Sequence, residues 1–347
     1  MKKNLSVIFL VLGTIIGAGF CSGKEICVYF AKFGFSSLFF LPLFFVIYFF
    51  LFKLFLSLGR EKDYKDFSSF NKQYGKNNFF DVVLGLTYVV FSSAMFACLG
   101  EMADLYFSSL IKYVVLGVVF VFSTFMLLKD FKSLKLVNFI LIPIVVICII
   151  GLCVVSISSN KAEFVLSNIK GSSLLFATPI IYACQGITLS YYILIKAGKG
   201  LSKKDINIVS FTASLILSLV LALAIITFNL YPQVISQPLP FVILSFKLGF
   251  PFDIIYAIIL IFAILTTLLS STRALFDYLS KFIKKPFVRA LTTSGVTLLL
   301  SFFGFSSIVE SLYPLIGCFG VIIILRILFS NIKTKKTANK NNCYKCK

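Results

Sequence analysis

The chain has 347 residues, of which 59% are hydrophobic and 16% aromatic, and its mean hydropathy is +1.01. Soluble domains carry about 45 to 50% apolar residues, so this composition excludes a water-soluble globular protein and implies a bilayer. The net charge of +20 comes from 33 Lys and Arg against 13 Asp and Glu. These basic residues lie between apolar runs, where they read as orientation signals and anionic-headgroup contacts rather than as a nucleic-acid surface.

Histidine is absent from the sequence, which removes the commonest general base, the Ser-His and Cys-His dyads and most zinc sites. No enzyme is expected, and no cofactor. Most of the nine cysteines lie inside apolar runs, for example Cys98, Cys148, Cys153, Cys184 and Cys318, and read as small buried hydrophobes. Cys343 and Cys346 form a single CxxC in the polar tail, a weak metal or redox signal without a second pair.

Runs of roughly 20 apolar residues predict ten spans. They cover about 5–29, 35–57, 80–108, 111–128, 134–157, 172–195, 206–230, 251–274, 287–304 and 307–329. Residues 1–330 are thus expected to form one ten-helix domain, with 331–347 as a basic tail. Met1 to Asn4 and the run after them have the outline of a signal peptide. That run exceeds the usual core of about 7 to 15 residues and lacks a small-x-small cleavage site, and Phe20 before Cys21 fits poorly with lipoprotein processing, so a mature helix is expected.

The first span contains Gly13-Thr14-Ile15-Ile16-Gly17-Ala18-Gly19-Phe20-Cys21-Ser22-Gly23-Lys24-Glu25. Four glycines, two hydroxyls and an acid weaken the helix where lipid would most require it intact. Interrupted helices persist in hydrocarbon only where protein, water or solute satisfies the freed backbone groups. A broken helix at a binding site is one reading; close packing through the pairs Gly13/Gly17 and Gly19/Gly23 is the other.

Basic residues then set the orientation. One set of connections holds Arg60, Lys62, Lys65, Lys72 and Lys76, then Lys129, Lys132 and Lys135. It continues with Lys196, Lys199, Lys203 and Lys204, then Lys281, Lys284, Lys285 and Arg289, and ends with the Lys333–Lys347 tail. The opposite set has only Lys32, Lys112, Lys161, Lys170 and Lys247. An even number of spans with both termini cytoplasmic is expected, in the cell membrane. Gly59 to Asn78 reads as a cytoplasmic loop. Tyr231 to Phe250, with Pro232, Pro238 and Pro240, reads either as an extracellular segment folding back as a lid or as an ordinary structured loop.

Ten spans divide into two sets of five, about 5–157 and 172–329, and an odd-numbered tandem unit must be inverted. Span six should then be interrupted as span one is. It carries Pro179, able to remove a helix hydrogen bond, and Gln185-Gly186 near mid-membrane; a plain proline kink is the alternative.

The segment GTIIGAGF-x-SGKEI at 13–26 resembles the opening helix of the YkvI-like bacterial membrane proteins, in the amino acid, polyamine and organocation (APC) transporter superfamily. That resemblance implies an all-α polytopic LeuT-type fold: ten transmembrane helices, five plus five inverted, with helices 1 and 6 broken. It also implies a substrate carboxylate at the freed amides of Gly17, Ala18 and Gly19, with Tyr182, Gln185 and Gly186 opposite. Carbonyls of Gly13 and Ile16 would face a cation together with Thr266, Thr267 and Ser270 of span eight, beside Ser271. Membrane Ser and Thr often bond their own backbone instead. Some relatives couple to protons through a lysine of helix five, but span five has only Lys135, at its end.

Glu101, Asp104 and Glu25 are the candidates for proton coupling, with Glu310 as a further intramembrane acid. Ion pairs with Lys24 or Lys112 account for these acids equally. Arg273 and Asp277 suit a local pair. The expected function is a secondary transporter of a small organic solute, an amino acid or related amine, coupled to sodium or protons. A ligand sensor of the germinant-receptor type is the competing reading. Partners expected are the solute and the lipid bilayer, and no nucleic acid; the sequence does not give the oligomeric state.

Overall fold

The computed structural model describes residues 2–61, 79–129, 134–159 and 173–345. Much of the Gly59–Asn78 loop, Lys132, Lys161, Lys170 and Cys346 therefore lie outside the described residues. Among the described residues every regular element is helical.

Span one is three pieces: α1 (Lys2–Ile15), α2 (Ala18–Ser22) and α3 (Lys24–Tyr29). A 3-10 stretch, Ala31–Phe40, bends at Gly34 and leads into α4 (Leu41–Glu61). Then come α5 (Phe79–Tyr106), α6 (Ser109–Leu128) and α7 (Leu134–Ser159). The second half holds α8 (Thr178–Gly198) after a 3-10 turn at Ser173–Phe176, and α9 (Lys203–Leu230). It continues with α10 (Pro240–Leu248), α11 (Phe252–Leu279) and α12 (Pro286–Ser301). Last are a short turn α13 (Phe305–Ser307), a π-helical turn Ile308–Leu312, and α14 (Tyr313–Lys345), which carries the basic tail on as helix.

Eight of the described helical segments are long and apolar enough to cross a membrane. The first span, whose α1 is apolar but short, and the 16-residue α12 lie outside that set, and the ten expected spans are compatible with the helices seen. Local chemistry explains several boundaries. Ser202 and Asp205 form a reciprocal capping box at the start of α9. Pro240 and Pro286 open α10 and α12 in the first turn, where a missing N–H costs nothing.

The same rule corrects the expectation for span six. Pro179 lies in the first turn of α8, so it starts the helix and does not break it. Gln185 and Gly186 lie inside an uninterrupted α-helix. The change of geometry in this span, from 3-10 to α, falls before them, at Ala177. Gly186 serves close approach: a Cβ there would meet Ile15 at 3.1 Å and the Tyr48 hydroxyl at 3.2 Å.

The core of the bundle is built around α8. A Cβ on Gly198 would overlap the Leu56 carbonyl of α4, and one on Gly59 would overlap the Ile195 carbonyl of α8. On the other flank, a Cβ on Gly320 of α14 would lie 2.5 Å from the Thr188 hydroxyl. Glycine thus lets α4 and α14 touch α8 backbone to backbone, where dispersion and packing are the available attractions in lipid.

Contacts fix which helix ends lie together. Asn4 donates to Asp205 at 2.7 Å, joining the starts of α1 and α9. Gly59 meets Ile195 where α4 and α8 end, and Lys281 after α11 pairs with Asp81 at 2.6 Å. The Tyr231–Phe250 segment folds back: α10 buries Phe241, Val242 and Leu244, and Phe241 packs on Phe228 and Tyr256. Cys98, Cys153 and Cys184 are buried as expected, whereas Cys148 is half-buried and Cys318 is exposed.

Gly198→Ala should lower the melting temperature of the purified protein in detergent, since overpacking against backbone costs about 1 to 3 kcal/mol. Gly117→Ala, where an added Cβ meets nothing within 4 Å, should leave it unchanged or slightly higher. Equal effects from the two substitutions would remove the close α4–α8 crossing as a source of stability.

Candidate functional site

The i→i−4 ladder of α1 ends with the Ile16 amide on the Leu12 carbonyl at 2.7 Å. Gly17 is extended, with φ −91° and ψ −173°, and its amide turns to the Ile15 carbonyl at 2.9 Å. That turn takes away the donor that would have closed on Gly13, so the Gly13 carbonyl is released from the ladder. Gly17's own N–H is engaged, a correction to the expectation that it is free. Ala18 and Gly19 occupy the first turn of α2, where amides lack an intrahelical acceptor.

A second interruption follows at Gly23, whose φ of +83° suits glycine. A Cβ there would also lie 2.6 Å from the Phe228 ring. This left-handed turn starts α3 on a new axis and folds Glu25 back over the break, so that a Cβ on Gly19 would overlap the Glu25 carboxylate. Glu25 is 5% exposed. Tyr182 Oη donates to its Oε2 at 3.0 Å. Tyr29 donates to Gln185 Oε1 beside it, and the rings of Tyr29 and Tyr182 meet edge to face at 5.0 Å.

Around these groups lies a cavity of about 220 Å³. Its wall includes Gly13, Ile16, Gly17, Ala18 and Gly19 from the broken span, and Tyr182, Gln185 and Gly186 from α8. Thr266, Thr267 and Ser270 of α11 complete that set, with Glu25 at one end. The cavity continues past Leu10, Ile193 and Ala274, toward the end of the bundle that holds the N-terminus. Sequence reasoning therefore gathered residues from three distant stretches that the fold brings to one hollow. It missed Tyr88, Phe91 and Met95 of α5 and Tyr313 of α14, which supply much of the apolar wall.

The hydroxyls of α11 bond their own helix, as membrane Ser and Thr commonly do. Thr266 and Thr267 donate to the Ala263 carbonyl at 3.1 and 2.8 Å, and Ser270 donates to the Thr267 carbonyl at 2.9 Å. All three line the cavity at the break. A Cβ on Gly17 would come within 3.7 Å of Thr267 Oγ1. The donor set offered here is oxygen alone, which suits a hard cation such as sodium.

Glu101 and Asp104 are not part of this hollow. Glu101 sits near the end of α5 and pairs with Lys112 of α6 at 3.1 Å, both side chains being partly exposed, and Asp104 is exposed. An acid in a membrane helix is expected to face the bundle interior; Glu101 is instead partly exposed and holds the ion pair with Lys112 that was the other reading. Spacing could not give the direction of these acids around the helix. Lys24, buried in α3, pairs instead with Glu310 of the π-helical turn at 2.7 Å. Arg273 and Asp277 form the local pair expected, at 3.2 Å.

No family model matches the chain. The uncharacterized membrane protein YkvI of Bacillus subtilis (strain 168) is 23% identical over 326 residues, covering 89% of this chain and 90% of that protein. Among solved structures, MhsT in complex with L-phenylalanine superposes with a TM-score of 0.64 at 16% identity, covering 92% of this chain and 87% of the other. Mhp1 in an inward-facing conformation gives 0.48 at 12% identity, over 91% and 75% of the two chains. A manganese transporter of Eremococcus coleocola also gives 0.48, at 14% identity over 95% and 77%.

With its first span broken at a central cavity, the chain is a multi-pass membrane protein of the LeuT-type fold. More particularly, its sequence is similar over nearly the whole length to the membrane protein YkvI, in keeping with the resemblance of the glycine-rich opening helix.

Tyr182→Phe removes the one hydrogen bond that Glu25 receives within the described residues. It should destabilise the protein by about 1 to 3 kcal/mol, the penalty for an abandoned buried acceptor. Glu101→Gln should cost about 0 to 1 kcal/mol, because its pair is partly solvated. Melting curves of the two variants side by side check this ranking; a larger loss in Glu101→Gln would reverse the assignment of the interior acid.

Proposed function

We propose that the chain is a secondary active transporter that moves a small organic solute, an amino acid or related amine, by alternating access across the cell membrane. The observation that carries this reading is the cavity at the break in span one, where released backbone groups and side chains from α8 and α11 converge on one small hollow. A binding site on discontinuous helices at mid-membrane is the design of many transporters. The L-phenylalanine in the MhsT complex supports a solute of about that size. In this reading both termini are cytoplasmic, residues 5–157 and 172–329 form inverted repeats, and 331–347 are a basic cytoplasmic extension.

Ala18, Gly19, Tyr182, Gln185 and Gly186 line the solute position, with Gly17 shaping the turn. Carbonyls of Gly13 and Ile16 and hydroxyls of Thr266, Thr267 and Ser270 would hold a coupling sodium ion. Glu25, as the acid on the cavity wall, is the proton-coupling group if protons drive the cycle; Glu101 and Asp104 lie outside it. The Lys24–Glu310 pair and α10 close the end of the bundle away from the N-terminus.

Reconstituted into sealed vesicles, the protein should concentrate a radiolabelled solute under an imposed sodium or proton gradient. Binding without accumulation would identify a receptor instead. With sodium coupling, replacing Thr266 and Thr267 together by Ala should raise the sodium needed for half-maximal uptake by roughly tenfold, the usual scale for disturbing a metal shell. An unaltered sodium response would release α11 from that role.

A further inference from the structure

Glu25 is the acidic residue on the cavity wall, and no Lys or Arg is among the residues that line it. The nearest basic residue in sequence, Lys24, is committed elsewhere, to Glu310 at 2.7 Å. Among the described residues Glu25 receives one hydrogen bond, from Tyr182 to Oε2; Oε1 stands over Gly19 without a donor. A carboxyl group taken out of water either keeps its proton or stays charged against a compensating positive charge. Among the described residues no Lys or Arg supplies that charge at this place.

Two further observations concern what supplies it. Tyr313 is among the residues that line the cavity, and its hydroxyl is fully buried with no hydrogen-bond partner among the described residues. Tyr88 and Phe91 lie on the same wall, and Phe91 stacks on Tyr313 with ring centroids 4.5 Å apart. Aromatic faces around an anion form a pocket for an organic ammonium, which gains from both. A volume of about 220 Å³ exceeds the roughly 150 Å³ of a cavity that holds benzene, enough for a small aryl-bearing ligand.

On the transporter reading above, we propose that the solute is a small aryl-bearing amine without a carboxylate. Its ammonium binds Glu25, and its ring lies against Tyr88, Phe91 and Tyr313. Such an amine leaves the filled cavity neutral. A zwitterionic amino acid would bring its own carboxylate beside Glu25 and leave one negative charge unbalanced unless sodium entered with it.

The test is equilibrium binding to the purified full-length protein in detergent, in potassium buffer free of sodium. The probes are phenethylamine, L-phenylalanine and 3-phenylpropionate, which share a ring and differ in charged groups. Phenethylamine should bind and raise the melting temperature, while the other two should not. Glu25→Gln, which keeps the shape, should weaken phenethylamine by roughly tenfold or more, the size of one charge-assisted hydrogen bond. Size-exclusion chromatography and the ligand-free melting temperature report whether this variant folds; if it does not, the probe ranking on the unaltered protein decides.

The proposal fails if phenethylamine does not bind, if L-phenylalanine binds as tightly without sodium, or if Glu25→Gln keeps its amine affinity. Flux separates this from the reading beneath it. Phenethylamine that binds but is never accumulated by vesicles defeats transport and leaves the amine site. L-phenylalanine accumulated without any amine binding defeats the amine site and leaves transport.

Discussion

Hydrocarbon provides no hydrogen bonds, so an open backbone turn at Ile16–Gly17 can exist only where its surroundings replace water. Everything distinctive about this structure follows from meeting that demand. The turn reuses the Gly17 amide on Ile15, and the glycine at 23 swings Glu25 over Gly19. The hydroxyls of α11 stand across from the break. What is left is a hollow with polar groups on the broken helix and apolar rings opposite. An unbroken α1 would have closed that space with side chains and left Glu25 nowhere to lie.

The hollow needs one wall that does not yield, and α8 provides it. Three helices, α4, α8 and α14, are fitted by glycines at 59, 198, 317 and 320, so closely that no side chain fits between the backbones. Close packing of this kind is discrete: a small slide would bring carbonyls into collision, not into a neighbouring fit. Rocking of the bundle, in the transport cycle proposed above, must therefore carry these three helices as a body. The broken first span is held less tightly. Its start is attached through the Asn4–Asp205 hydrogen bond, its middle through Gly13 against Ile142, and its flanks face the cavity.

The sequence showed the spans because long apolar runs have one physical meaning, and it showed the break because four glycines with a nearby acid have no use against lipid. The hydroxyl face of α11 was legible for the same reason, since Thr266, Thr267 and Ser270 repeat at helical spacing. Span six was misread. A proline in a helix interior and a proline in its first turn are the same letter, and the difference lies in where the 3-10 turn at Ser173–Phe176 ends. The aromatic wall was invisible for another reason. With 42 Phe and 15 Tyr in the chain, Tyr88, Phe91 and Tyr313 carry no signal until tertiary packing selects them.

Adjacent charges in a sequence invite the assumption that they cancel, and Lys24-Glu25 is such a pair. Successive residues of a helix point about 100° apart, and here that angle separates two environments. Lys24 reaches away from the cavity to Glu310, whose side chain is 54% exposed, so its charge is balanced at the rim. Glu25 turns inward to Tyr182 and the break. The dipeptide thereby divides a neutral sequence into a buried cation paired with Glu310 and an acid that faces the cavity. Reversing the order of the two residues would leave composition, net charge and hydropathy unchanged and would put an ammonium where the carboxylate now lies. The character of the hollow is set by the order of two letters and by the left-handed turn at Gly23 that aims them.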